Sequence, residues 1–198
     1  MAERLLRTWV AELIATPGLT AMTDPAAAWA RHVEEALALV PLLAGAPAGP
    51  IVDVGAGGGS VGIPVAVSLP EREVVLIEAE RRKCAFLETW AARLPNLRVV
   101  WGRAEEQGTD WAAVAVAKAL APPAVAIEWL LPLVAPGGLA VVFLGATAET
   151  AGLAAIAGQL AGEVGDGPPG VLVLRKTGPT PPGFPRRTGV ARKRPLTA

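Results

Sequence analysis

From residue 51 onward the chain alternates short β-branched runs with stretches long enough to form helices, and nothing else in it limits the fold so strongly. The runs cover residues 51–54, 74–77, 97–100, 114–116, 139–144 and 171–174, with helical stretches at 80–94, 122–134 and 148–161. Consecutive parallel strands need a crossover of about a dozen residues, usually a helix, so this spacing predicts an α/β fold with a doubly wound, mostly parallel sheet. A length of 198 residues suits one such domain, and a composition 52% hydrophobic and 18% charged excludes a disordered chain.

Two amphipathic helices are expected ahead of the sheet. Leu5, Leu6, Trp9, Val10, Leu13 and Ile14 recur at helical spacing, and Thr16-Pro17-Gly18 ends that helix. Asp24 before Pro25 is a capping residue followed by proline at the first helical position, and Trp29, Val33, Ala36, Leu37 and Val40 give the second helix its apolar face. Residues 44–50 read as a Gly/Pro linker. The expected organisation is 1–48 as N-terminal helices packing on the core, 49–177 as the ligand-binding domain, and 178–198 as a basic, Pro-rich tail lying over the surface without regular structure.

The zero net charge hides an asymmetry. Seven of the 18 basic residues fall within residues 175–198, which contain no acidic residue, and the rest of the chain carries a balance of −7. A basic tail on an acidic body points to a polyanionic partner, because each phosphate neutralised by Lys or Arg releases condensed counterions. Arg186, Arg187, Arg192, Lys193 and Arg194 are the candidate contacts. Charged residues and prolines interrupt the apolar stretch 111–146, so no membrane helix is expected, and the first residues do not read as a secretory signal, so the cytoplasm is the expected compartment. One cysteine and one histidine allow neither an internal disulfide nor a zinc cluster, and no metal is expected.

Asp53-Val54-Gly55-Ala56-Gly57-Gly58-Gly59 directly follows the first strand. Glycines at the carboxyl end of a strand let the backbone approach a ligand closely, and Gly57-x-Gly59-x-x-Gly62 also satisfies the dinucleotide fingerprint. Glu78, at the end of the second strand, is placed to accept hydrogen bonds from a ribose diol. Together these features imply a nucleoside cofactor. A dehydrogenase normally needs a second domain for its substrate, and only a tail is left over here, which disfavours NAD; an NAD-binding oxidoreductase nevertheless remains an open alternative.

Asp53, the glycine loop, the acidic end of the second strand and Arg103-Ala104-Glu105-Glu106 after the third resemble S-adenosylmethionine-dependent methyltransferases. Gly18-Leu19-Thr20-Ala21-Met22, His32-Val33-Glu34-Glu35-Ala36-Leu37, the loop through Ser60-Val61-Gly62-Ile63-Pro64, and Pro185-Arg186-Arg187-Thr188-Gly189-Val190 through Arg194-Pro195-Leu196 narrow the resemblance to the RsmG/GidB family. That resemblance implies a Rossmann-like class I methyltransferase fold and methylation of N7 of a guanine in 16S rRNA. It also implies a partner in that RNA or the small ribosomal subunit, and a monomer is expected. Cofactor contacts carried over by position fall on Gly55, Ser60, Glu78, Ala104, Glu105 and Lys118, with Asp53, Gly57 and Gly59 of the loop as further candidates, and the helix after the loop is expected to offer its first amides to the cofactor's carboxylate. The chain departs from the family at Ser60, usually bulky and apolar, at Lys118, usually arginine, and at Leu144, usually lysine. A non-catalytic RNA- or ribosome-binding relative is therefore a further alternative.

No acid/base pair is evident, as suits an acceptor that already has a free lone pair. His32 is expected to be a satisfied helix-face residue and Cys84 an inert buried thiol. Lys118 is a candidate for orienting the cofactor or RNA, since an unpaired cation after a buried strand would be costly. Trp101 and Trp111 are assigned to core packing.

Overall fold

The computed structural model describes residues 1–198. Seven strands form one sheet in the order β3-β2-β1-β4-β5-β7-β6: β1 (Ile51–Val54), β2 (Val74–Glu78), β3 (Leu97–Trp101), β4 (Ala112–Ala117), β5 (Val134–Phe143), β6 (Gly162–Gly165) and β7 (Val171–Lys176). The first five run parallel, in registers such as Asp53 beside both Leu76 and Val116, and β7 is antiparallel to β5 and to β6. This is the doubly wound, Rossmann-like α/β sheet that the alternation predicts. The edge strand β6, Gly-Glu-Val-Gly, was not among the expected runs. It begins and ends on glycine and has a single β-branched residue, so it carries almost no local strand signal and is held by pairing with β7.

Strands β1, β2 and β4 are buried along their whole length, as expected where helices cover both faces. Alternate residues of each strand enter different cores: Ile51 joins a cluster of 27 buried residues, and Val52 and Val54 join one of 24 on the other face. The second cluster is completed by α7 (Pro123–Leu130) and α8 (Leu153–Gly158), and the first by α5 (Gly62–Ser68) and α6 (Arg81–Ala91) with the N-terminal helices.

Those N-terminal helices are a layer of the core. In α1 (Ala2–Ala15), Trp9 is fully buried and its Nε1 donates to Gly58 O at 3.0 Å, and Arg93, just past the end of α6, donates to Glu12 at 2.8 Å. The second helix is capped as read, Asp24 Oδ1 accepting from Ala27 N at 2.8 Å, but it is not continuous. It passes from α2 (Pro25–Trp29) through a π-helical turn, Ala30–Glu34, into α3 (Glu35–Leu37), and Pro41, which cannot donate in a helix interior, sets off α4 (Val40–Ala44).

The tail departs from expectation. Instead of lying irregularly on the surface, it contains α9 (Val190–Lys193), inserts Ala191, 2% exposed, into the second core, and packs Phe184 and Leu196 against it. Apolar residues spaced through the basic run supply the reason: the segment is amphipathic as well as charged. Trp101 is another correction. It is 56% exposed, with the Arg81 guanidinium 4.0 Å from its ring centroid, because strand β3 lies at the sheet edge and ends in solvent. No helix is long and apolar enough to cross a membrane.

If the N-terminal helices are part of one cooperative core, Trp9→Ala should cost about 3–5 kcal/mol in urea denaturation, the range for a large buried aromatic. A loss below about 1 kcal/mol, typical of surface changes, would contradict that packing.

Candidate functional site

The chain proceeds β1-β2-β3 to one side of β1 and then crosses to β4 and β5 on the other, so the carboxyl ends of β1 and β4 flank a topological switch point, where open α/β sheets bind ligands. A cavity of about 460 Å³ lies there. Its walls are the segments leaving four strands: Val54–Gly58 and Ser60 after β1, Glu78 and Ala79 after β2, Gly102–Glu105 after β3, and Lys118–Leu120 after β4.

Two buried carboxylates shape the loop after β1. Glu78, 7% exposed, accepts from Gly57 N–H through Oε2 and from Glu80 N–H through Oε1, both at 2.8 Å. Asp53, 3% exposed, accepts from Gly62 N–H at 2.8 Å through Oδ2. Two of the glycines leave little room for a side chain. Gly55 has φ +68, and a Cβ there would lie 2.2 Å from Leu120 Cδ1; at Gly62 a Cβ would lie 2.1 Å from Leu76 Cδ2. On the other side of the loop, Gly58 packs against Leu13 of α1.

Among the residues expected to contact a cofactor, Gly55, Gly57, Ser60, Glu78, Ala104, Glu105 and Lys118 line the cavity. Asp53 and Gly59 do not. Asp53 points away from the cavity, beneath the start of α5, and Gly59 is turned toward Ile63 and Leu87. Both act on the loop's shape. The first amide of α5 is correspondingly taken by Asp53 and not offered outward, which corrects the expectation that it serves a ligand carboxylate. Gly18, in the first N-terminal motif, holds φ +75 against Arg82, whose Nη1 donates to Pro17 O at 3.0 Å.

Lys118 is neither a surface lysine nor a free cation. Its side chain is 5% exposed, with Nζ 2.9 Å from Glu35 Oε2, bonded to Arg31 O, and 5.2 Å from the Phe143 ring centroid. Burial lowers its pKa, opposed by Glu35. The lysine thus fastens the second N-terminal helix to the carboxyl end of β4. His32, on the π turn, also reaches the cavity. Its Nε2 pairs with Thr20 Oγ1 at 3.1 Å while its buried Nδ1 has no protein partner, and burial, then Lys118 and Arg31, lower its pKa. Cys84 is buried, with Sγ 3.3 Å from Glu78 O and its pKa raised by burial.

Sequence reading missed Leu13, Leu19, Lys83 and Trp129, which reach the cavity from distant segments; no local pattern marks them. Arg186 needs reassignment. Arg186 makes a two-pronged ion pair with Glu128, a residue 1% exposed, so its guanidinium is committed inside the protein, because a buried glutamate requires a partner. Arg192 lines the cavity mouth. Arg187, Lys193 and Arg194 remain exposed. No group of three or more His, Cys, Asp or Glu side chains is gathered as a metal site.

The residues fit an adenosyl group. The volume lies in the range of small-molecule pockets, roughly 300–1,000 Å³. Of the about four lone-pair positions on a carboxylate, backbone amides use two at Glu78, leaving the rest for a ribose diol. A family model described as rRNA small subunit methyltransferase G (GidB) matches residues 4–155. The ribosomal RNA small subunit methyltransferase G of Synechococcus elongatus is 36% identical over 201 residues, covering 90% of this chain and 82% of that protein. That of Moorella thermoacetica is 33% identical over 199 residues, with the same coverage of 90% and 82%. Among solved structures, P. horikoshii TYW2 in complex with MeSAdo matches with a TM-score of 0.58 at 16% identity, over 80% of this chain and 64% of that one. The antibiotic-resistance methyltransferase Kmr matches with a TM-score of 0.55 at 17% identity, over 69% and 91%. At such identities the structural matches establish the fold alone.

Burial is the largest influence on Asp53 and raises its pKa from 3.8 to about 6, against the Gly62 amide and Lys118. Because the folded value lies above the unfolded one, the protonated form is favoured by folding at low pH, and that stability is lost as pH rises through about 6. Asn at this position still accepts from Gly62 but does not titrate. The stability of the wild type relative to Asp53→Asn should therefore fall by about 2–3 kcal/mol between pH 4 and pH 7.5, in urea denaturation at each pH. Parallel pH profiles would contradict the assignment.

Proposed function

The chain belongs to the rRNA small subunit methyltransferase G family, and on that footing we propose that it transfers a methyl group from S-adenosyl-L-methionine to N7 of a guanine in 16S rRNA. The observation that carries this reading is the cavity at the switch point, where a glycine loop and the partly engaged carboxylate of Glu78 face one space.

When bound, the cofactor supplies an electrophilic methyl group on a sulfonium. The chain's own residues bind, orient and exclude water. Gly55, Gly57 and Ser60 line one side, Glu78 takes the ribose, and Ala104 and Glu105 border the adenine. Asp53 and Gly59 act indirectly, by fixing the loop. Lys118, held by Glu35, closes the edge toward the N-terminal helices. Guanine N7 has an unprotonated lone pair, so the acceptor needs no base. His32 borders the cavity and is given no proton-transfer role. Catalysis then comes from holding the two reactants in line, an effect worth roughly 7–11 kcal/mol in well-oriented systems.

Arg187, Lys193 and Arg194 are exposed on the tail and are the proposed contacts to RNA phosphates, in the naked rRNA or the small subunit. A monomer in the cytoplasm is proposed. Met1, Trp101 and Val164 are the only large hydrophobics substantially exposed, which supports the monomer, and a substrate in 16S rRNA supports the cytoplasm.

The test is tritiated methyl transfer to rRNA from cells lacking the protein, with Gly55→Asp as the control. Wild type should label the RNA. Gly55→Asp should abolish labelling, since a side chain at φ +68 meets Leu120. Cofactor binding without transfer to either rRNA or subunits would instead favour a non-catalytic RNA-binding relative.

A further inference from the structure

The inner face of the C-terminal segment is built onto the rim of the cavity. Arg186 grips Glu128 of α7 through two nitrogens, and its Nη2 also donates to Arg194 O at 2.8 Å. Beyond this latch, Thr188 Oγ1 donates to Glu106 Oε1 at 2.9 Å and Gly189 N–H donates to Glu105 Oε1 at 3.2 Å. Gly189, at φ +81, then turns the chain into α9, and Arg192 Nη2 reaches Leu120 O at 3.4 Å with its guanidinium 5.6 Å from the Trp129 ring centroid. Glu105, Leu120, Trp129 and Arg192 line the same cavity.

We infer that Arg186 and Glu128 are positioning residues for cofactor binding, which hold Thr188 and Gly189 against the single turn Ala104–Glu106 and so fix that cavity wall. The inference rests on the proposed function, which places this turn at the adenine. The turn is closed on itself by Glu106 Oε2, which accepts from Arg103 N–H at 3.4 Å, and by Gln107 Nε2, which donates to Arg103 O at 3.0 Å, but neither of these bonds holds the Glu105 carboxylate. The turn is three residues of 3₁₀ helix, and the Gly189 amide is the only hydrogen-bond partner of the Glu105 side chain. Released from the strap, that carboxylate would return to water, and the cofactor would have to order it on binding. The latch is firmly held because opening it would leave Glu128 buried without a counter-charge. One segment thus presents its outer cations to RNA and braces the cofactor wall with its inner groups.

The test is calorimetric titration of S-adenosyl-L-homocysteine into full-length wild type, Arg186→Ala, Arg186→Lys and Thr188→Val, with thermal melting of each. Thr188→Val leaves the ion pair intact and touches only the contact to Glu106. It should melt within about 2–4 °C of the wild type yet bind roughly threefold more weakly, since only the share of the lost hydrogen bond that steadies the cavity wall counts in binding. Arg186→Ala should bind more weakly still, and Arg186→Lys, which keeps charge without the planar fork, should fall between it and the wild type. Wild-type affinity in Thr188→Val and in folded Arg186→Ala would overturn the inference; should Arg186→Ala fail to fold, Thr188→Val decides alone. No binding by the wild type would overturn the proposed function and this inference with it.

Discussion

The site depends on backbone amides of one loop being accepted by two buried carboxylates. A loop with Gly55, Gly57 and Gly59 all at positive φ has no side chains with which to hold itself, and without partners it would sample many shapes. Asp53 and Glu78 supply those partners from two adjacent strands, Glu78 taking the Gly57 amide within the loop and Asp53 the Gly62 amide where the loop enters α5. Burying two acids is costly, and the raised pKa of Asp53 is the visible trace of that cost. Desolvation is thus concentrated where a ligand would meet backbone closely, as at many functional sites.

Around this loop the remaining elements act as braces. Trp9 bonds Gly58 from below, Lys118 and Glu35 join the second N-terminal helix to the end of β4, and the C-terminal strap supports the turn after β3. Parts of the chain outside the sheet therefore add no separate module; they make the cavity deep enough and hold its walls. The boundary drawn at residue 48 divides the sequence, but the first hydrophobic core runs across it without a break.

Much of the fold was legible because parallel strands buried on both faces leave unmistakable apolar runs, and because the loop's glycines, Asp53 and Glu78 stand at the ends of those runs. What stayed illegible has a physical reason in each case. Strand β6 is specified by its neighbour, since Gly162 and Gly165 have little intrinsic preference for it. Arg186 looked like a phosphate contact because its partner, Glu128, lies 58 positions away on an apolar helix and nothing local links them. Asp53 and Gly59 sit within the motif, but spacing alone does not tell a residue that touches the ligand from one that shapes the loop beneath it. Trp129 and Leu13 reach the cavity only through tertiary packing.

The central claim is that this cavity, and Glu78 within it, takes the adenosyl group. A crystal structure of the full-length protein grown with saturating S-adenosyl-L-homocysteine tests it most directly. The account predicts the ribose hydroxyls on the Glu78 carboxylate, with the Gly57 amide still bonded to it and the base beside Ala104 and Glu105. Ligand density elsewhere on the protein, or a Glu78 turned out of the cavity in the complex, would contradict it.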